Sequence, residues 1–104
     1  MHPGEVPGSH VMTGIIKFLW SNDPRATLLR KEFVFKIIPM INPDGVFRGH
    51  FRHDTCGENL NRHYITPVHS DAPSIYAIKE LVMRYHNEDN NRIYAYADLH
   101  AHGR

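Results

Sequence analysis

His2 and Glu5 are separated only by Pro3 and Gly4. Their side chains could present an imidazole nitrogen and a carboxylate oxygen to one metal ion. A Pro-Gly pair favours a tight turn, which excludes the helical geometry of the H-E-x-x-H metal-binding motif. Pairs with this spacing are common among ordinary surface residues, and a solvated His2 is the alternative. The pair alone is therefore only a weak indication of a metal site.

His100 directly follows residues 93–99, which are predicted to form a buried strand. In open α/β sheets, ligand-binding sites lie at the ends of strands, so His100 could belong to such a site. The alternative is that His100 only caps the strand. With His2 and Glu5, His100 completes a set of two histidines and one carboxylate. Catalytic zinc takes such a set and keeps water as its fourth ligand. The three residues therefore predict a zinc site that the fold must close.

A third polar group consists of residues 59–62, with the sequence Asn-Leu-Asn-Arg, and of Arg52. An arginine presents a planar fork that binds a carboxylate through two hydrogen bonds, and Asn61 can add a donor. This group would suit the free carboxylate at the C-terminus of a peptide. Solvated arginines in a polar loop are the alternative for either Arg52 or Arg62 alone.

Three helices are predicted from apolar periodicity and capping residues. The first follows Ser9 as N-cap and ends before Asn22, and the second covers residues 25–31. The third begins at Pro73, which suits a first helical turn. The apolar faces of the first and third helices recur at helical spacing; they consist of Met12, Ile15, Ile16 and Leu19, and of Ile75, Ile78, Val82 and Tyr85.

Two strands are predicted between and after these helices. Residues 33–38 form a nearly continuous apolar run of β-branched and aromatic side chains, as in a strand covered on both faces. Residues 93–99 form the second strand. Residues 42–72 show little periodicity, and so long an irregular segment in a compact domain is usually functional or disordered. The alternation of helices and strands predicts an α/β fold.

Composition excludes several classes of function. The chain has 104 residues with 12 Lys and Arg against 11 Asp and Glu, so a strongly basic nucleic-acid-binding protein is excluded. No apolar segment is long enough to span a membrane, and the N-terminus lacks a signal-peptide pattern. Cys56 is the single cysteine and cannot form an internal disulfide, which favours an intracellular location.

Four motifs stand in a specific order along the chain, namely His-Pro-Gly-Glu at residues 2–5, Asn-Pro-Asp-Gly-Val at 42–46, Asn-Leu-Asn-Arg at 59–62 and Asp-Leu-His-Ala-His at 98–102. In this order they resemble the zinc carboxypeptidase superfamily and, within it, the cytosolic carboxypeptidase branch. The resemblance covers essentially the whole chain. It implies a mixed sheet packed between helices, one Zn²⁺ ion and hydrolytic removal of C-terminal amino acids in the cytoplasm.

The resemblance also implies roles for individual residues. His2, Glu5 and His100 would bind zinc, and Arg52 would stabilise the oxyanion that develops during hydrolysis. The carboxylate of the substrate would be held by Asn61 and Arg62. The branch is associated with the removal of C-terminal or branch-point glutamates from polyglutamylated proteins such as tubulin.

Two departures from the family pattern are visible. Asn59 stands where much of the superfamily has an Asp that orients a zinc-binding histidine. No glutamate matches the family's general base; those compared are Glu32, Glu58, Glu80 and Glu88. Residues 1–104 are therefore expected to be a partial catalytic domain whose N-terminal and C-terminal parts are missing, and to be inactive alone.

Two other functions stay open at this point. The first is a non-catalytic module that binds zinc and a peptide carboxylate, which the absent base favours. The second is a zinc acyl-amino-acid hydrolase, which shares the H-x-x-E spacing. His102 is expected to line the site without binding metal, and Arg48 is a weaker candidate for contacting an acidic substrate.

Overall fold

A computed structural model describes residues 1–88 and 93–101. Within this part, the regular structure is helical. The elements are α1 (Val6–Trp20), α2 (Pro24–Glu32), α3 (Pro43–Phe47), a 3₁₀ turn (Leu60–Arg62) and α4 (Pro73–Asn87). No helix in the described part is both long and apolar enough to cross a membrane.

Helices α1 and α2 pack against each other as a short helical pair. Leu19 and Ala26 are buried between them, and the guanidinium of Arg30 on α2 donates to the carbonyl oxygen of Leu19. The prediction that Ser9 caps α1 was wrong, because the helix already begins after Glu5, which occupies the N-cap position. The first turn of α1 therefore directly follows the His2–Glu5 motif.

Helix α4 carries the larger apolar core. Ile75 and Ile78 are buried on one face of this helix, together with Leu60 of the 3₁₀ turn and Ala72. The predicted apolar face of the helix is thereby confirmed. Since the 3₁₀ turn follows Asn59 directly, the core supports the backbone that carries this residue.

The prediction of an α/β fold with a mixed sheet was wrong for this structure. The described residues contain no strand, and residues 33–38 and 93–99 run as chain without regular secondary structure. The rings of Phe33 and Tyr94 are in contact, with centroids 5.0 Å apart, but no backbone ladder joins the two segments where the structure describes them. Residues with high β-propensity fit a half-buried pleated surface, and this tendency produces a strand only where a neighbour completes the hydrogen bonds.

The segment from 42 to 72 is irregular apart from α3 and the 3₁₀ turn, as its composition predicts. Local side-chain hydrogen bonds hold it in place. The side chain of Asn42 is buried; its oxygen accepts from the backbone N–H of Gly45 at 3.0 Å, and its amide donates to the carbonyl of His53 at 3.2 Å. These bonds keep the loop that contains Arg52 close to the start of α3.

Candidate metal centre

His2 and Glu5 lie on a tight turn, as the Pro-Gly pair predicts. The backbone N–H of Glu5 donates to the carbonyl of His2 at 3.1 Å. This closes the turn and brings the two side chains together, with Nδ1 of His2 2.6 Å from Oε1 of Glu5. The imidazole and the carboxylate are therefore already adjacent within the motif.

His100 reaches the same carboxylate from a segment 95 residues further along the chain. Its Nδ1 lies 2.8 Å from Oε2 of Glu5, and the backbone N–H of Ala101 donates to the same oxygen at 2.8 Å. One ligand atom from each of His2, Glu5 and His100 lies within 4.8 Å of the others. We call these three residues the ligand cluster. The structure thus brings together all three predicted zinc ligands.

The outer nitrogens of the two histidines face oxygen acceptors. Nε2 of His2 lies 3.0 Å from Oδ1 of Asn59, and Nε2 of His100 lies 2.8 Å from a carboxylate oxygen of Asp98. With a metal bound, each neutral imidazole would keep its single N–H on Nε2, directed to these oxygens, and Nδ1 would be free to bind the metal. Metal-binding histidines commonly show this arrangement, and the residues fit a zinc ion.

The charge on Glu5 is strongly stabilised. Burial by itself raises the pKa of this carboxyl, but hydrogen bonds from the N–H of Ala101 and from the rings of His2 and His100 outweigh burial and lower the pKa from 4.5 to about 2. The carboxylate is consequently ionised at neutral pH and can bind a cation without first releasing a proton.

Arg52 is brought to the edge of the ligand cluster. Its guanidinium lies 3.9 Å from Oε1 of Glu5, and 40% of its side-chain surface is exposed. Its loop lies close to the motif because the backbone N–H of Gly4 donates to the carbonyl of Phe51 at 2.8 Å. A Cβ atom at Gly4 would lie 2.8 Å from the backbone carbonyl oxygen of Phe51, so this approach requires a glycine.

The structure distinguishes between the two residues predicted to hold a substrate carboxylate. The backbone N–H of Asn61 donates to Oδ1 of Asn59 at 3.2 Å, so Asn61 is one contact away from His2. Arg62 is exposed, and its guanidinium donates to the carbonyl of Asn61 at 3.2 Å rather than to the ligand cluster. Their role as carboxylate ligands stays a prediction.

An open cavity of about 480 Å³ adjoins the ligand cluster and is lined in part by Asn61 and Asp98. Tyr64 and Tyr96 also line it, and their hydroxyls are 3.1 Å apart. Burial and this hydrogen bond raise the pKa of the Tyr64 phenol above its usual value, so Tyr64 stays neutral at physiological pH. Lys79 also lines the cavity, and its ammonium group donates to the carbonyl of Ile65.

Asp98 and Ala101 are functional contacts that the sequence interpretation missed. Asp98 holds the outer nitrogen of His100, and the N–H of Ala101 stabilises Glu5. The spacing of Asp98 and His100 could have indicated the first contact, because alternate residues of an extended chain share a face. His102 lies outside the described residues, so its predicted place beside the site is untested.

Comparison with known proteins identifies the class that this site defines. The zinc carboxypeptidase family profile matches residues 1–104 of the chain. The chain therefore belongs to the zinc carboxypeptidase family, as the order of the four motifs indicates.

The relatives within this family are cytosolic carboxypeptidases. The chain is 55% identical to cytosolic carboxypeptidase 6 of Caenorhabditis elegans over 98% of its own length and 22% of that protein. It is 54% identical to cytosolic carboxypeptidase-like protein 5 of Danio rerio over 83% of its own length and 10% of that protein. Human cytosolic carboxypeptidase 6 is 44% identical over 98% of the chain and 20% of that protein. The chain thus spans between a tenth and about a fifth of the length of these relatives.

Proposed function

We propose that the chain forms the zinc-binding and substrate-carboxylate-binding part of a cytoplasmic metallocarboxypeptidase. Its reaction would be the hydrolysis of C-terminal or branch-point glutamates of polyglutamylated proteins such as tubulin. The observation that carries the proposal is the convergence of His2, Glu5 and His100 within 4.8 Å. Membership of the zinc carboxypeptidase family supports the same reaction class.

The ligand cluster would hold one Zn²⁺ ion through Nδ1 of His2, Nδ1 of His100 and the carboxylate of Glu5. When bound, zinc would lower the pKa of a bound water and polarise the scissile carbonyl. Asn59 and Asp98 fix the orientation of the two imidazoles through their outer nitrogens. The chain therefore supplies both the ligands and the contacts that preorganise them.

Arg52 would stabilise the negative charge that develops on the carbonyl oxygen. Its guanidinium already lies beside the cluster, 3.9 Å from Glu5, and remains partly open to solvent. An arginine keeps its charge at all physiological pH values. A preorganised cation at the place where an oxyanion forms stabilises the transition state more than the ground state.

Asn61 and Arg62 would bind the terminal carboxylate of the substrate. Asn61 lines the cavity beside the cluster, and Arg62 follows it directly on the 3₁₀ turn. The guanidinium is exposed and can rotate toward a carboxylate without leaving a buried partner unpaired. The preference for glutamate is supported by two cationic groups, Lys79 in the lining of the cavity and Arg52 at the edge of the ligand cluster.

We infer that the 104-residue chain is inactive by itself. Among the described residues, the ligand cluster contains one carboxylate, Glu5, and contacts a second, Asp98. Both already accept hydrogen bonds from histidine rings. Glu58 is directed to His63 at 3.1 Å. In the described part of the chain, the hydrogen bonds and ion pairs of the cluster involve no further carboxylate that could accept a proton from water. This same observation favours the second candidate, a non-catalytic zinc- and carboxylate-binding module.

Metal analysis of the purified chain tests the zinc site. We expect about one zinc per chain, and we expect that the His100→Ala variant loses most of this zinc because one of three protein ligands is removed. His10→Ala is the matched control, since His10 is exposed on α1. Equal zinc content in wild type and His100→Ala would refute the assigned site.

Peptide binding and turnover separate the catalytic classes. We expect the zinc-loaded chain to bind a peptide ending in glutamate and to lose this binding when the terminal carboxylate is amidated. Arg62→Ala should weaken binding, whereas Arg84→Ala, an exposed arginine on α4, should not. Equal binding of the amidated peptide would exclude the carboxylate site, and turnover of an acylated amino acid would support the acyl-amino-acid hydrolase instead.

A further inference from the structure

We propose that Gly8 is a positioning residue for the third metal ligand. Its missing side chain lets the backbone of Leu99 and His100 lie directly on the first turn of α1. Only at this separation can His100 and Ala101 both reach Glu5. The inference rests on the zinc site proposed above and assigns a role in that site to a residue that contacts no metal.

The contact between Gly8 and the Leu99 backbone is unusually close. Gly8 is buried, and a Cβ atom at this position would lie 2.9 Å from the carbonyl oxygen of Leu99. Ordinary contacts of a Cβ atom begin at 3.4 Å, so an alanine would have to displace the segment or the helix by about 0.5 Å. The opposing atom belongs to the backbone, so no change of side-chain rotamer can relieve the overlap.

Space, rather than backbone conformation, explains the glycine. The positive-φ glycines in the described part of the chain are Gly49 and Gly57, so Gly8 has a φ value that any residue can adopt. Within a helix a glycine is less favourable than an alanine, because its backbone loses more conformational freedom on folding. Gly8 therefore lowers the stability of α1, and the close approach of residues 99–100 that it permits offsets this loss.

A displacement of this segment acts directly on the ligand cluster. His100 and Ala101 both bond to Oε2 of Glu5, each at 2.8 Å. The segment thus contacts both Gly8 and Glu5, which belong to the first turn of α1 and its N-cap. Metal sites require ligand distances within about 0.2 Å of their ideal values, so a shift of about 0.5 Å moves His100 out of reach.

A pair of glycine substitutions on the same helix tests the proposal. Gly8→Ala introduces the overlap, whereas Gly14→Ala is the matched control because a Cβ there has no atom within 4 Å. We expect Gly8→Ala to weaken zinc binding by about 10–100-fold, measured by competition with a chromogenic chelator. Gly14→Ala should leave zinc affinity unchanged. Equal zinc affinity of Gly8→Ala and wild type would overturn the proposal.

Two further measurements identify the cause of the loss. Gly8→Ala in a His100→Ala background should have no additional effect on zinc affinity, because its influence passes through His100; additive losses would contradict the proposal. In the metal-free chain, the amide of Ala101 should exchange its hydrogen faster in Gly8→Ala than in Gly14→Ala. Circular dichroism should show equal helix content in both variants, and a loss of helix in Gly8→Ala would place the strain in α1 instead.

These results also separate this inference from the proposed function. If the wild-type chain bound no zinc, the zinc site would fail while the amide exchange of Ala101 would still measure whether Gly8 positions the segment. If the wild type bound zinc and the two glycine variants bound it equally, the site would stand and the role of Gly8 would fail.

Discussion

The ligand cluster and the apolar run at residues 33–38 differ in how far the rest of the chain satisfies their side chains. In the cluster, Glu5 accepts from two histidine rings and one backbone N–H, and no buried side-chain polar atom among the described residues lacks a partner. In the apolar run, by contrast, Val34 is 84% exposed and Phe35 is 43% exposed. One region is satisfied by a few directional bonds, and the other presents apolar surface to solvent.

The difference shows what each kind of structure requires. A polar cluster closes when a few donors and acceptors meet, and the turn at residues 2–5 already brings His2 and Glu5 together. A strand requires a neighbour along its whole length, because each residue leaves backbone groups to be paired. Within the described residues, the chain supplies the first kind of partner and not the second.

The largest expected effect is on zinc affinity when Glu5 is changed. Glu5→Gln keeps the shape of the side chain but removes its charge and one acceptor oxygen. We expect zinc affinity to fall by more than about 100-fold, beyond the loss typical of an outer contact. Chelator competition provides the measurement, and Glu80→Gln, an exposed position on α4, provides the control. An unchanged zinc affinity in Glu5→Gln would show that the carboxylate of Glu5 is not a metal ligand.

The next largest effect is on the free energy of unfolding, and it differs between the core around α4 and the apolar run at residues 33–38. Ile75 is fully buried, and Ile75→Ala should lower the free energy of unfolding by about 2–5 kcal/mol. Val34→Ala should change it by less than about 0.5 kcal/mol, because Val34 is mostly exposed. Denaturant titration measures both values. A comparable loss in the two variants would mean that the run packs against something in solution, and the comparison drawn above would break.

A smaller effect is expected at Asn59. Replacing its amide by a carboxylate, in Asn59→Asp, should strengthen the bond from Nε2 of His2 and raise zinc affinity by up to about 10-fold. Asn22→Asp adds the same charge at an exposed position between α1 and α2 and serves as the control. A decrease in zinc affinity in Asn59→Asp would indicate that the amide is needed for another contact.

The smallest effect concerns the pH dependence of stability. Burial raises the pKa of Tyr64 above its ordinary value of 10.0, so the folded chain favours the neutral phenol. Its contribution to stability is fully present below pH 10.0 and is lost as the pH rises further. In an ultraviolet titration of phenolate, Tyr64→Phe should remove a late-titrating group. Tyr94→Phe is the control, because Tyr94 is 83% exposed, and it should leave the late-titrating group in place.

The ligand cluster shows how far sequence interpretation reaches for a site. The residue types and the order of the motifs singled out His2, Glu5 and His100, and the structure brings these three together. Asp98 was missed because its i, i+2 spacing to His100 places the two side chains on one face only if the chain is extended there, and the structure shows that they are in contact. Arg62 was assigned to the substrate carboxylate together with Asn61 by the motif; its guanidinium is exposed and donates to the carbonyl of Asn61, so that role stays a prediction.

For the fold, helical periodicity within one segment was a better guide than the capping residue of α1 or the pairing of strands. The apolar face of α4 follows from periodicity, which is a property of a single segment, whereas on α1 only Leu19 of the predicted face is buried and Ile15 is exposed. The start of α1 was misplaced because Glu5 and Pro7 begin the helix ahead of Ser9. The sheet was wrongly predicted because apolar, β-branched composition indicates a tendency to be covered, and pairing depends on elements elsewhere.

The sequence by itself determined the functional groups of the site, which are two imidazoles and a carboxylate. It also determined the tight turn between His2 and Glu5 and the two amphipathic helices. These depend on residue types and short spacings. The tertiary structure decided which atoms of those ligands meet, that Asp98 and Asn59 orient them, and that residues 99–100 need the bare surface of Gly8. Such contacts join segments far apart in the chain, and their geometry is set only when the backbone path is complete.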